Sequence, residues 1–322
     1  MGQISSELNA SLNVKYMATM MVEQISGLPA PKNDGYIWTK PEIIDVKGDN
    51  DICILFIDDA HLCSKTIQSY LFQLLTYKSI HNHKLPENVA IVLAGNRSID
   101  RSGAQPIMAP IVNRMYFIEV TADAKDWIEN FAIPMNLRSD IVSFIDFYPE
   151  LLQSEPLENE PWASPRSWTF LNDSLNQIEE SNEPITNQNL LIIATGHIGS
   201  TYATKFCEYK IIFSKWKPEI YFNNTKLPNI NNLNSIECYT LMSSVIAEFI
   251  KQSRLCNFKL NKNYETVLSQ LFNSLVEQCK EIIPLGLKTI ATSDKKNIII
   301  FQSLIKNNKY LLEATKSILG IT

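Results

Sequence analysis

Residues Asp51 to Cys63 constrain this chain more than any other stretch. Ile52, Cys53, Ile54, Leu55, Phe56 and Ile57 form a nearly continuous apolar run with a β-branched bias. Such a run reads as a strand buried on both faces, the kind found inside a parallel sheet. Asp58 and Asp59 follow at its C-terminal end. In doubly wound α/β folds that edge of the sheet is where ligands sit. Two acids there are costly unless they hold a cation or polarise a water. A buried strand that simply runs into an acidic turn gives the same pattern, so both readings stay open.

The stretches that follow extend the pattern. Ser64 to Tyr77 reads as a helix capped by Ser64, with Ile67, Tyr70, Leu71, Leu74 and Leu75 on one face. Val89 to Gly95 is a second buried strand, ending in Asn96 and Arg97. Asn96 would lie beside the two acids, able to hydrogen-bond a water or a phosphate oxygen; its plainer role is that of a turn residue. Arg114 precedes a third expected strand, Met115 to Val120. An arginine there suits a planar cation that stabilises a transferring phosphate, and equally a structural ion pair.

Beyond Val120 the strands stop. Asp123 to Phe131, Arg138 to Leu152 and Ser164 to Ile178 carry helical apolar spacing. Ser164 as cap and Pro165 at the first helical position make a strong helix start. Arg166 then falls in the first turn, where a cation opposes the helix dipole unless an anion is near. At the other end of the chain, residues 3 to 22 also read as one amphipathic helix, and Gly27 to Pro31 breaks the chain.

Composition adds mainly exclusions. The chain has 322 residues, room for two or three domains, with 45% hydrophobic and 20% charged residues. A net charge of −5 and a pI of about 5.5 give no electrostatic argument for nucleic acid or a membrane surface. No apolar run approaches a membrane span, and no basic-then-apolar leader opens the chain. Six scattered cysteines without a CxxC pair read as reduced, mostly buried thiols of a cytoplasmic protein.

The order of these pieces carries a resemblance. A strand ending in Asp58-Asp59, a strand ending in Ala94-Gly95-Asn96-Arg97, Asn113-Arg114 before a strand, and a helical region opening Ser164-Pro165-Arg166-Ser167-Trp168 together resemble an AAA+ ATPase of the MoxR-like group. Gly27-Leu28-Pro29, Trp38 and Pro41-Glu42 fit the same group, as does the Gly196-to-Gly199 turn before a helix at Ala203 to Phe206. The likeness spans roughly residues 1 to 215. It implies an α/β fold: a parallel P-loop NTPase-type sheet flanked by helices over 1–120, an all-α lid over 121–215 and a C-terminal helical extension over 216–322.

The resemblance also implies roles. Asp58 would hold Mg²⁺ through water and Asp59 would be the catalytic carboxylate of Walker B. Asn96 would be sensor 1, Arg114 the arginine finger acting on a neighbouring subunit, and Arg166 sensor 2. ATP and Mg²⁺ would be the ligands, and a client protein the partner of a homo-oligomeric ring. The group usually has Glu where Asp59 stands; one methylene less displaces the water by about 1 Å, an error worth on the order of 10²-fold in rate.

One part is missing from the pattern. GxxxxGK[ST] occurs nowhere, and no Gly is followed by Lys. The backbone cradle and lysine that bind phosphates are therefore not in this sequence. The expectation is a chain that starts too late, without the first strand and P-loop; a P-loop-free interaction module is the alternative.

Residues 216 to 322 carry three further helical stretches, Ser235 to Lys251, Asn263 to Ile283 and Lys296 to Leu319, after an Asn-rich linker at 223–234. His61, Cys63, His81 and His83 flank one helix and contain zinc-ligand types, but their spacing is not that of usual structural zinc sites, and the two pairs fall at opposite ends of the helix.

Overall fold

The structure, a computed structural model of the chain, describes residues 1–33, 35–47, 52–96, 106–156, 160–181, 184–255, 262–293 and 311. Two compact units divide at Val120 and Thr121.

The first unit, Met1–Val120, is α/β. Its elements are α1 (Gly2–Glu7), β1 (Ser11–Tyr16), α2 (Val22–Ser26), β2 (Pro29–Lys32), β3 (Gly35–Trp38), β4 (Cys53–Asp58), α3 (Lys65–Tyr77), β5 (Ser79–Ile80), β6 (His83–Lys84), β7 (Val89–Leu93) and α4 (Ala109–Val112). β1, β4 and β7 form a parallel sheet in that order. β4 is the middle strand and the most buried of the three. Cys53, Ile54, Leu55 and Ile57 are all buried. The register pairs Ser11 with Cys53 and Tyr16 with Asp58 on one side, Cys53 with Val89 and Ile57 with Leu93 on the other. β2 with β3 and β5 with β6 are small antiparallel hairpins.

α3 crosses from β4 to β7, as a parallel pair requires. Ser64 caps it, accepting from the Ile67 N–H, and Ile67, Leu71 and Leu74 join Leu55 and Ile57 in one hydrophobic cluster. The buried Gln68 is the one amide on that face. It accepts from the Met108 N–H at 2.9 Å and donates to the carbonyls of Cys63 and Pro106, which ties the approach to α4 onto α3.

Two expectations fail in this unit. Residues 3 to 22 are not one helix. α1 ends at Glu7 and Ser11–Tyr16 is an edge strand, because Leu12, Val14 and Tyr16 alternate and a parallel partner lies alongside. Ile4 and Leu8, expected on a buried helical face, are exposed. Nor is Met115–Val120 a strand. No strand lies beyond β7 among the described residues, and Tyr116 and Val120 are 91% and 88% exposed. A β-prone sequence without a neighbouring edge has no ladder to join.

The two sheet edges differ. At β1 the Asn13 side chain imitates a peptide, donating to the Lys47 carbonyl at 2.8 Å and accepting from its N–H at 2.9 Å. β7 has no such partner segment among the described residues; the Lys78 ammonium on the Val89 carbonyl is the one side-chain contact to its backbone.

The second unit, Thr121–Thr322, is helical where described. It contains α5 (Ala124–Trp127) running into a π turn, α6 (Ser139–Phe147), α7 (Pro165–Glu180), α8 (Asn187–Ile198), α9 (Ser200–Phe213), α10 (Pro218–Asn224), α11 (Ser235–Leu255), α12 (Lys262–Gln278) and α13 (Ile283–Ser293). α7 starts as the sequence predicts. Ser164 accepts from the Ser167 N–H at 3.1 Å while Ser167 accepts from the Ser164 N–H at 2.8 Å, a capping box. Gly199 separates α8 from α9 at φ 79°, and a β-carbon there would sit 2.6 Å from the Pro161 carbonyl oxygen. Phe144, Trp168 and Phe206 pack at the centre with centroids 5.4 to 5.6 Å apart, Phe206 edge-to-face with the other two rings.

Phe147 of α6 meets Tyr239 of α11 at 4.9 Å, so the helices before and after residue 216 share one hydrophobic core. Inside it, Asp140 pairs with both Arg138 and Lys210, and Arg138 reaches on to Glu179. The expected helix Lys296 to Leu319 lies outside the described residues apart from Leu311. No described helix is long and apolar enough to cross a membrane. The five described cysteines are buried, and no disulfide joins them.

Candidate functional site

The C-terminal ends of β4 and β7 converge on one turn. Asp58 closes β4, half-buried, and its carbonyl accepts from the Met17 N–H just past β1. Asp59 follows in the left-handed region, φ 54° and ψ 35°. Aspartate tolerates that conformation better than most residues, because its short polar side chain bonds locally. The tight turn lets the Asp59 N–H donate to Asp58 Oδ1 at 3.0 Å.

The chain then folds onto the end of β7. The Ala60 N–H donates to the Ala94 carbonyl, and the Asn96 N–H donates to Nδ1 of His61 at 3.1 Å. That bond assigns the ring's proton to Nε2. Gly95 makes the approach possible, since a β-carbon there would lie 2.9 Å from His61 Nδ1 and 3.3 Å from the His61 backbone nitrogen.

Asp58, Asp59 and Asn96 are thus side by side at the carboxyl edge of the sheet. Neither aspartate has an ion-pair partner among the described residues. One oxygen of Asp58 is committed to the Asp59 N–H, and the other oxygens remain for a cation or its waters. This donor set suits Mg²⁺, which is commonly held by one or two carboxylates, waters and substrate phosphates. No glycine-rich loop accompanies any described strand end.

The two arginines are placed differently. Arg114 follows α4, donates to the Pro110 carbonyl at 2.8 Å and rests its guanidinium 4.4 Å from the Phe72 ring centroid of α3. It is exposed and forms no ion pair among the described residues. The structural ion pair weighed for it is absent there, and cation–π stacking holds the side chain instead. Arg166 is exposed in the first turn of α7, in the second unit.

The zinc ligands do not assemble. His61 is engaged with Asn96, His81 stacks on Trp38 at 4.0 Å and 7°, and His83 Nε2 contacts the Trp38 carbonyl at 2.8 Å. Among the described residues no three His, Cys, Asp or Glu side chains come together as a metal site.

Sequence reasoning missed His61, Gly95 and Gln68 as parts of this framework. A signal existed for the first two, since a glycine immediately before Asn96 and a histidine two residues after Asp59 flank the same edge. Comparison with family models, with curated proteins and with solved structures gives no match.

Proposed function

We propose that this chain is an AAA+ ATPase subunit of the MoxR-like type. In this reading it couples Mg-ATP binding and hydrolysis to remodelling or activating a partner protein, within a homo-oligomeric ring. The observation that supports the reading is the convergence of Asp58, Asp59 and Asn96 at the carboxyl edge of a parallel sheet, held by the His61 bond. Asp58 would hold Mg²⁺ through water, and Asp59 would orient the attacking water. Asn96 would position that water or the terminal phosphate. The ion would supply charge neutralisation on the phosphates. Arg114 carries an exposed guanidinium without a carboxylate partner among the described residues, as a finger serving an adjacent subunit requires. Arg166 would act from the helical unit.

The phosphate cradle belongs, in this proposal, to a further strand that pairs with β7 and gives Met115–Val120 its neighbour. Both ends of that gap are present: an edge without a partner segment among the described residues and an exposed β-prone stretch. The absence of GxxxxGK[ST] from the sequence favours a second reading, a non-catalytic interaction module that keeps the fold.

Calorimetry with Mg-ATP separates the two. The chain is measured as it stands and beside a version extended upstream by any in-frame GxxxxGK[ST] segment. Binding and turnover by the extended protein alone, with Arg114→Ala losing turnover but keeping binding, support the ATPase. No binding by either form, or no such segment upstream, supports the module. Hydrolysis by the chain as it stands refutes the claim that its phosphate site is incomplete.

A further inference from the structure

The second unit holds a partly open cavity of about 790 Å³ between α6, α9, α11 and α13. Its size is that of a pocket for one small organic molecule, and its wall is mainly apolar. Phe213, Trp216, Met242 and Ile246 contribute to that wall.

Three carboxylates line the cavity: Asp140, Asp146 and Glu248. Asp140 is neutralised by Arg138 and Lys210, and Glu248 contacts Lys251 at 3.4 Å and Gln252 at 2.7 Å. Asp146 differs. Its Oδ2 accepts from the Tyr239 hydroxyl, and its Oδ1 accepts no hydrogen bond among the described residues. Lys288, the cation whose charge reaches it, is already paired with Glu129. Asp146 is therefore the one cavity-lining carboxylate without an ion-pair partner among the described residues.

An uncompensated carboxylate beside aromatic rings is the chemistry that recognises an organic cation. We infer that this cavity binds a small amine with an apolar, preferably aromatic, body, its ammonium donating to Asp146. Tyr239 orients the carboxylate, and the aromatic and aliphatic wall takes the body. The inference stands apart from the nucleotide reading of the first unit.

Calorimetry on the full chain with tryptamine, tryptophol and indoleacetate tests it, because the three share an indole and differ in the head group. Tryptamine should bind, with tryptophol weaker by about tenfold or more and indoleacetate weaker still. Asp146→Asn should remove the discrimination between tryptamine and tryptophol. Ala247→Phe, which places a ring in the cavity wall, should abolish binding of tryptamine and decides the location if Asp146→Asn does not fold. Equal binding of the three probes overturns the proposal, as does a preference unchanged in Asp146→Asn. Preference for indoleacetate would assign the pocket to Lys210 instead, and absence of binding by every probe refutes it outright.

Discussion

The backbone N–H of Asn96 donates to Nδ1 of His61 at 3.1 Å, and the His61 side chain is buried at 2% exposure. With the Ala60 N–H on the Ala94 carbonyl, this bond joins the turn after β4 to the end of β7. It fixes the spacing between the acidic pair and the amide whatever ligand they serve. His61→Leu removes the acceptor and leaves a buried site without its polar partner. It should cost about 1–3 kcal/mol in urea unfolding. Gly95→Ala should also destabilise the fold, because the ring and backbone of His61 stand where the new methyl would go. A midpoint unchanged in both variants would show that the two strand ends are held by something else.

Asp59 holds a left-handed conformation that glycine adopts without strain. Asp59→Gly should raise stability by up to about 1 kcal/mol at neutral pH, read as a shift in the urea midpoint. If the carboxylate orients the attacking water, the same variant should lose ATP turnover in the extended protein while keeping Mg-ATP binding. Gain of stability with loss of function would mark Asp59 as a residue kept for chemistry. A stability loss would mean that its side chain holds the turn.

Arg138, Asp140, Lys210 and Glu179 form the ionic centre of the helical unit. Arg138→Met strips a buried carboxylate of one of its two cations and should cost about 3 kcal/mol. Burial pushes the Asp140 carboxyl up, but Lys210 and Arg138 together hold it below the usual carboxylate range. A carboxylate with a depressed folded pKa gives stability that is present above the ordinary value near 3.8 and is lost as the pH falls through the depressed one. Asp146 runs the other way, since burial raises it despite the Tyr239 hydroxyl, so ionising it opposes folding as pH rises past 3.8. Asp146→Asn should therefore flatten the loss of stability that sets in as pH rises from 3.8, while Arg138→Met should move acid unfolding upward. Both are read by circular dichroism against pH.

Tyr116, Phe117, Ile118 and Val120 form an exposed apolar stretch at the end of the first unit. Paired Phe117→Lys and Ile118→Glu substitutions should shift urea unfolding by no more than about 0.5 kcal/mol. They should nevertheless reduce self-association in sedimentation and binding of hydrophobic dye. A large loss of stability would mean that the stretch is packed in solution.

What was legible in the sequence follows from how local its causes are. β4 is written as six apolar residues before two acids, and α3 and α7 carry caps at Ser64 and Ser164 that act within one turn. β1 was hidden because Ile4, Leu8 and Leu12 also fit a helical spacing, although Asn13 and Lys15 alternate with Leu12, Val14 and Tyr16. Those polar residues belong to an edge, where Asn13 bonds Lys47 and Lys15 approaches Glu42 at 3.6 Å. Met115–Val120 failed for the opposite reason: its composition suits a strand, but pairing needs an edge that composition does not supply. In the site, Asp58, Asp59 and Asn96 were readable from strand ends. The His61 bond depends on two turns thirty-five residues apart meeting in space.

The Asn13 clasp on Lys47 has a consequence for how copies of this chain can assemble. Fibrillar growth by edge pairing needs two receptive edges on each molecule, one to join and one to be joined. Where the Asn13 amide plays the part of a neighbouring peptide at β1, β7 is the edge of the parallel sheet that still offers a ladder among the described residues. Edge-to-edge pairing of two copies then uses up both available sides and stops at a pair.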